Sequence, residues 1–161
     1  MPGELKPFLL PKAAREAMAS RAVADYPEET CGLVFARGED LEVLPMENIQ
    51  NRLHREFPGV YTVNARRAYC MDSMKLDQTI EERLKAGQSL RAIYHSHPDE
   101  ASYFSPTDNE AAAPLGEPMY PGVLQLVFSV RKGRVVDLKA FDWLEKDGKY
   151  VEVPITDAVT P

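Results

Sequence analysis

Leu90-Arg91-Ala92-Ile93-Tyr94-His95-Ser96-His97-Pro98 is the stretch from which the fold and the chemistry of this chain are read. Its alternation predicts a strand, and Pro98 ends it because proline cannot donate to a sheet ladder. Side chains along a strand repeat with period two, so Ile93, His95 and His97 share one face. That face carries two of the three histidines in the chain. Their β-carbons stand about 7 Å apart by strand geometry. Two imidazoles so placed can converge on one cation with bonds of about 2.0–2.1 Å.

A third donor follows a polar-aromatic loop, in Ser105-Pro106-Thr107-Asp108. Ser105 reads as a helix N-cap, Pro106 as the first helical residue and Asp108 as N3. Taken alone, Ser-x-x-Asp before an Ala-rich run is a capping box and requires no metal. Beside the histidine pair, Asp108 is also well placed to close a three-ligand site, with water in the fourth position as catalytic zinc requires.

These residues resemble the JAMM, or MPN-plus, metalloprotease family. Its motif is an early Glu, then His-(Ser/Thr)-His-Pro, six residues, and Ser-x-x-Asp. Here His95-Ser96-His97-Pro98 is followed by 99–104 and then Ser105 to Asp108, so the spacing matches throughout. The early acid is matched by Glu29 in Glu29-Thr30-Cys31-Gly32-Leu33-Val34, whereas the neighbouring Glu28 is expected at the surface. The resemblance runs from about Leu10 to about Trp143. It implies a cytidine-deaminase-like MPN/JAMM architecture, one Zn2+ per chain on His95, His97 and Asp108, Glu29 as general acid/base, and Ser105 as donor to an oxyanion.

The composition is that of a globular domain: 161 residues, 44% hydrophobic and 27% charged. A net charge of −6 argues against a nucleic-acid binder, which normally shows a basic face. No run approaches the roughly 18 apolar residues of a membrane span. Met1-Pro2-Gly3-Glu4-Leu5-Lys6 lacks the basic-then-apolar pattern of an export signal, so a cytoplasmic location is expected. Cys31 and Cys70 are then expected as free thiols, Cys31 as a small buried hydrophobe rather than a ligand.

In chain order, Pro11 to about Asp25 predicts a helix with Ala14, Met18 and Ala22 at i, i+4, i+8. Thr30 to Arg37 and Leu41 to about Met46 predict a hairpin with Glu29 at its entrance. Residues 48–58 read as a loop, with His54 solvated, and 57–63 as a short strand. A helix is expected from about Ala65 to Lys85, capped by Asn64, with Leu76, Ile80 and Leu84 as its core stripe and Met71 and Met74 as packing residues. After the Asp108 helix, Pro114 and a turn-rich loop lead to strands over Val123–Val130, Val135–Trp143 and Lys149–Val153. The expectation is one α/β (α+β) domain over 1–153, a curved mixed β-sheet flanked by helices, with 154–161 a flexible tail.

The expected reaction is metal-assisted hydrolysis of an amide bond. The resemblance implies a substrate bond after the Gly-Gly tail of a ubiquitin-like or sulfur-carrier protein. Such a tail can add as a strand at a sheet edge, with Tyr103 and Phe104 as the expected groove wall. A metallo-β-lactamase-like site fails because Glu100 stands where its next histidine is needed. The rival from another class is a non-catalytic MPN-type scaffold, whose members lose ligands that this chain retains.

Overall fold

The computed structural model describes residues 5–157. Strand β1 (Phe8–Leu10) leads into helix α1 (Lys12–Asp25), which Pro11 opens and whose buried residues are Ala14, Met18 and Ala22. Strand β2 (Cys31–Arg37) turns at Gly38, φ +61°, into β3 (Asp40–Met46), as the hairpin reading requires. The remaining sheet strands are β4 (Ser89–Pro98), β5 (Leu124–Arg131), β6 (Arg134–Leu144) and β7 (Lys149–Val153). They form one mixed sheet in the order β3-β2-β4-β5-β6-β7, in which β4 and β5 are parallel and the other neighbours antiparallel. The α+β architecture is that expected. No helix among the described residues is long and apolar enough to cross a membrane.

Both faces of the central strands are covered, so β5 is buried without a break from Leu124 to Val130 and is mostly apolar rather than alternating. On one face α1 packs Met18 and Ala22 against Val34, Tyr94, Leu126 and Phe128. On the other, Leu33, Phe35 and Ile93 meet Met71, Leu76 and Ile80. Further along that second face, Val127, Phe141 and Tyr150 pack beneath Phe104.

The structure corrects the reading between the hairpin and β4. Residues 50–56 are a helix, α2 (Gln50–Glu56), where a loop was expected. Its one buried residue is the polar Gln50, so no apolar period announces it. Residues 57–63 are turns rather than a strand. Helix α3 spans Ser73–Lys85 and is capped by Asp72, not Asn64. Asn64 instead accepts from Arg66 N–H in a local turn. The carbonyls that an earlier helix would use are taken by distant partners: Ala65 O by Glu29 N–H and Ala68 O by the Asn48 amide. Leu84 and Met74 face solvent, so the α3 stripe is Leu76 and Ile80.

The expected tail is also corrected in part. Residues Ile155–Asp157 form β8, parallel to β1 with Phe8 opposite Ile155; residues 158–161 lie outside those described. Both strands are three residues long and pattern cannot reveal them; burial of Phe8 and Leu10 in the main core holds the pair in place.

Gly32 stands opposite Tyr94 in the β2–β4 ladder, and the Tyr94 ring occupies the space a Cβ would need. Gly32→Ala is therefore expected to cost about 1–3 kcal/mol in urea unfolding. In a Tyr94→Leu background the same change should cost less; an equal cost in both would refute the clash.

Candidate metal centre

Strand β4 presents His95 and His97 on the face away from α1, both nearly fully buried. Pro98 ends the strand, and Asp99 takes φ +59° as the chain turns at the C-terminal end of β4. Ser129 Oγ donates to Glu100 O and Ser102 Oγ to the Asp137 carboxylate, tying the returning loop to β5 and β6. The chain then enters α4 (Pro106–Ala112) above the histidines.

The capping box at that helix is complete. Asp108 N–H donates to Ser105 Oγ at 3.0 Å, and Ser105 N–H donates to Asp108 Oδ2 at 3.1 Å. The same Oδ2 lies 3.2 Å from His95 Nε2 and 3.1 Å from His97 Nε2, while the two Nε2 atoms are 3.2 Å apart. Cap and ligand are thus compatible roles, because a carboxylate oxygen has a second lone pair.

This nearly equilateral triangle fits a cation. Donors bound tetrahedrally at about 2.0–2.1 Å stand about 3.3 Å from one another. The tautomer of His97 agrees: its Nδ1 lies 2.8 Å from Ala101 O, which can only accept, so Nδ1 carries the proton. In neutral His97 the Nε2 lone pair is then aimed into the triangle. His95 Nδ1 is buried with no hydrogen-bond partner, and the His95 ring is held by Tyr69, stacked on it at 4.6 Å. Among the described residues, His95, His97 and Asp108 are the cluster whose donor atoms could hold a metal ion.

The electrostatics follow from burial among charges. Burial alone would raise the Asp108 carboxyl, but the two facing histidines outweigh it and hold it far below the usual carboxylate range. Burial depresses His97, yet the Asp108 carboxylate and the Ala101 carbonyl bring it above the ordinary histidine value. Glu29 is only 5% exposed, and burial pushes its carboxyl up to about 8; His97 pulls the other way, while Asp108 and Glu100 add to the rise.

Glu29 reaches the site because the chain around it is fastened to β4. Thr30 N–H donates to Ser96 Oγ at 2.8 Å, Ser96 N–H returns a bond to Thr30 O, and Thr30 Oγ1 donates to Asp25. Ser96, between the histidines, points to the opposite face and fixes the residue after Glu29. A cavity of about 440 Å³ opens here, lined by Glu29, His97, Asp108, Ser105, Tyr103 and Arg66 among others. Tyr103 is half exposed on its wall and meets the His97 ring edge-on. Phe104 does not line the cavity; it packs on Phe141 and Tyr150.

Residues outside the site fall as follows. Glu28 accepts from Asn51. His54 Nδ1 pairs with Tyr61 O, away from the cavity. Cys31 and Cys70 are free; burial pushes the Cys31 thiol up to about 12, which keeps it protonated in the core. Sequence reasoning gave no role to Ser96, Tyr69 or Asn48. Only Ser96 carried a signal, as the small residue required between the two histidines.

A fold and a donor set of this kind mark a family, and a family model described as prokaryotic homologs of the JAB domain matches residues 11–142. The chain belongs to that family. It is similar to a Thermus thermophilus protein named a probable TtuB-protein conjugate cleaving protease, 30% identical over 103 residues. That match covers 64% of this chain and 62% of the relative's length. In fold it is similar to the solution structure of a Desulfitobacterium hafniense protein, with a TM-score of 0.68, 22% identity, and coverage of 95% of this chain and 94% of that one. A Salinibacter ruber solution structure gives a TM-score of 0.56, 20% identity, and coverage of 96% and 94%.

Equilibrium dialysis against Zn2+ is expected to load one ion per chain. His95→Ala, His97→Ala and Asp108→Ala should each weaken binding at least about 100-fold. Undiminished binding by any of the three would remove that residue from the donor set.

Proposed function

We propose that this chain is a zinc-dependent hydrolase cleaving an amide bond after the C-terminal Gly-Gly of a ubiquitin-like or sulfur-carrier protein. The observation carrying the reading is the donor triangle of His95, His97 and Asp108 with Glu29 lining the same cavity. The naming of the Thermus thermophilus relative as a conjugate-cleaving protease supports the substrate class.

Zinc held by His95, His97 and Asp108 would supply Lewis acidity, which lowers the pKa of a water from 15.7 toward about 7. Glu29 takes a proton from the attacking water and delivers it to the departing amine nitrogen. Hydroxide thereby adds to the carbonyl carbon as the C–N bond breaks. A cation at the triangle would favour the Glu29 carboxylate, the form that takes the proton, while burial favours the acid that hands it on to the amine. Ser105 Oγ accepts from Asp108 N–H, and its own hydrogen is free to donate to the oxygen that gains charge. Tyr103 forms one wall of the groove for the extended tail. Phe104 supports the loop from below.

The test is incubation of the zinc-loaded protein with a carrier protein bearing an extension after Gly-Gly, followed by mass spectrometry. Cleavage at that bond is expected. Glu29→Gln should lower kcat by about 10²–10⁴-fold with zinc retained. Tyr103→Ala should raise KM. Zinc binding with no cleavage of any such conjugate would sink the reading in favour of a partner-binding scaffold.

A further inference from the structure

Asn48 follows the edge strand β3 and belongs to none of the motifs above. The antiparallel register pairs Cys31 with Met46. Carried two residues further, it sets Asn48 level with Glu29, where the main-chain ladder has stopped. The side chain takes over. Its Nδ2 donates to Glu29 O at 2.9 Å and to Ala68 O at 3.2 Å. Its Oδ1 accepts from Gln50 N–H at 3.0 Å and from Cys70 N–H at 3.1 Å. Both amide hydrogens and both lone pairs are spent.

The four partners lie on three separate stretches of chain. Glu29 carries the carboxyl of the cavity. Ala68 and Cys70 flank Tyr69, whose ring stacks on His95. Gln50 opens α2, and its own amide donates to Val63 O on the cavity wall. One side chain therefore spans from the backbone of the acid to the backbone of the ring that holds a histidine.

We propose that Asn48 is a positioning residue, which sets Glu29 and Tyr69 relative to each other and so fixes the acid against the donor triangle. Glu29's task rests on the hydrolase reading; the placement does not. Its donor and acceptor halves do different work. The donors hold Glu29 O and Ala68 O, and the acceptor holds Cys70 and the start of α2. Asn48→Asp keeps the acceptor and turns an anion toward two carbonyls, whereas Asn48→Ala loses all four bonds. The donor triangle itself is built on β4 and α4, which Asn48 does not touch.

The experiment compares wild type, Asn48→Ala and Asn48→Asp by amide exchange, by the His95 ring-proton resonances in the metal-free protein, and by steady-state kinetics of the zinc-loaded form. Asn48→Ala is expected to speed exchange at Cys70 N–H by at least about tenfold and to shift the His95 resonances. It should lower kcat about 10- to 100-fold, with KM within about twofold and one zinc still bound. Asn48→Asp should keep Cys70 protected and yet lose kcat. Arg83→Ala, remote from the site and stripped of its bonds to Glu42 and Gln88, is the stability control; its Tm should fall while kcat holds. Wild-type kcat in Asn48→Asp, unmoved His95 resonances in Asn48→Ala, or an equal kcat loss in Arg83→Ala would each overturn the proposal. If wild type cleaves no conjugate, the hydrolase reading falls, and exchange and resonances alone decide the placement.

Discussion

Three electron-rich atoms, two imidazole nitrogens and a carboxylate oxygen, are held within 3.2 Å of one another in a buried place, and the surrounding structure exists to keep them there. Charge holds the group together, since the two imidazoles draw the Asp108 carboxyl down and the carboxylate draws His97 up. Its geometry is set on each side. The pleat of β4 fixes the histidine spacing, the Ala101 carbonyl fixes the His97 tautomer, and the cap of α4 fixes the carboxylate. Donors seated in this way on a strand and a capped helix are what a metal site requires of its protein.

The same economy runs through the polar interior. Buried donors and acceptors need partners, and here the partners are distant in sequence. Ser96 reaches across 66 residues to Thr30, and Glu29 N–H to Ala65 O. Each such bond meets a local requirement and brings together two pieces of the site. One consequence is that 65–71 is not helical, since Ala65 O, Ala68 O and Cys70 O accept from Glu29, Asn48 and Ile49 instead of from the next turn. Tertiary demand overrides propensity there.

Legibility in the sequence tracked locality. The six long strands, α1 and the helix carrying Asp108 were readable because each announces itself by period, proline or cap within a dozen residues. The residues His95, His97, Ser105, Asp108 and Glu29 were readable as a spaced set, and the fold brings four of them, Glu29, His97, Ser105 and Asp108, to one cavity. His95 lines the triangle beneath the cavity rather than its wall. What stayed hidden was whatever depends on a partner far along the chain: the β1–β8 pair, the polar helix α2, the stacking of Tyr69 and the inward turn of Phe104. In Tyr103-Phe104 neighbouring aromatics take opposite fates, one toward the cavity and one into the core, and nothing in the dipeptide distinguishes them.

The parallel pairing of β4 with β5 obliges the chain to cross over one face between them, and residues 99–123 make that crossing. Only its first portion, through Asp108, supplies anything to the donor triangle. The remainder, from Ala113 through the glycine- and proline-rich turns to Val123, returns the chain to the start of β5 without contributing a donor. That return path is anchored at both ends by core packing, Ala113 beside Val127 and Phe141 and Val123 beside Ile93 and Met71, so one crossover holds the donor-bearing turn over the sheet and closes its core.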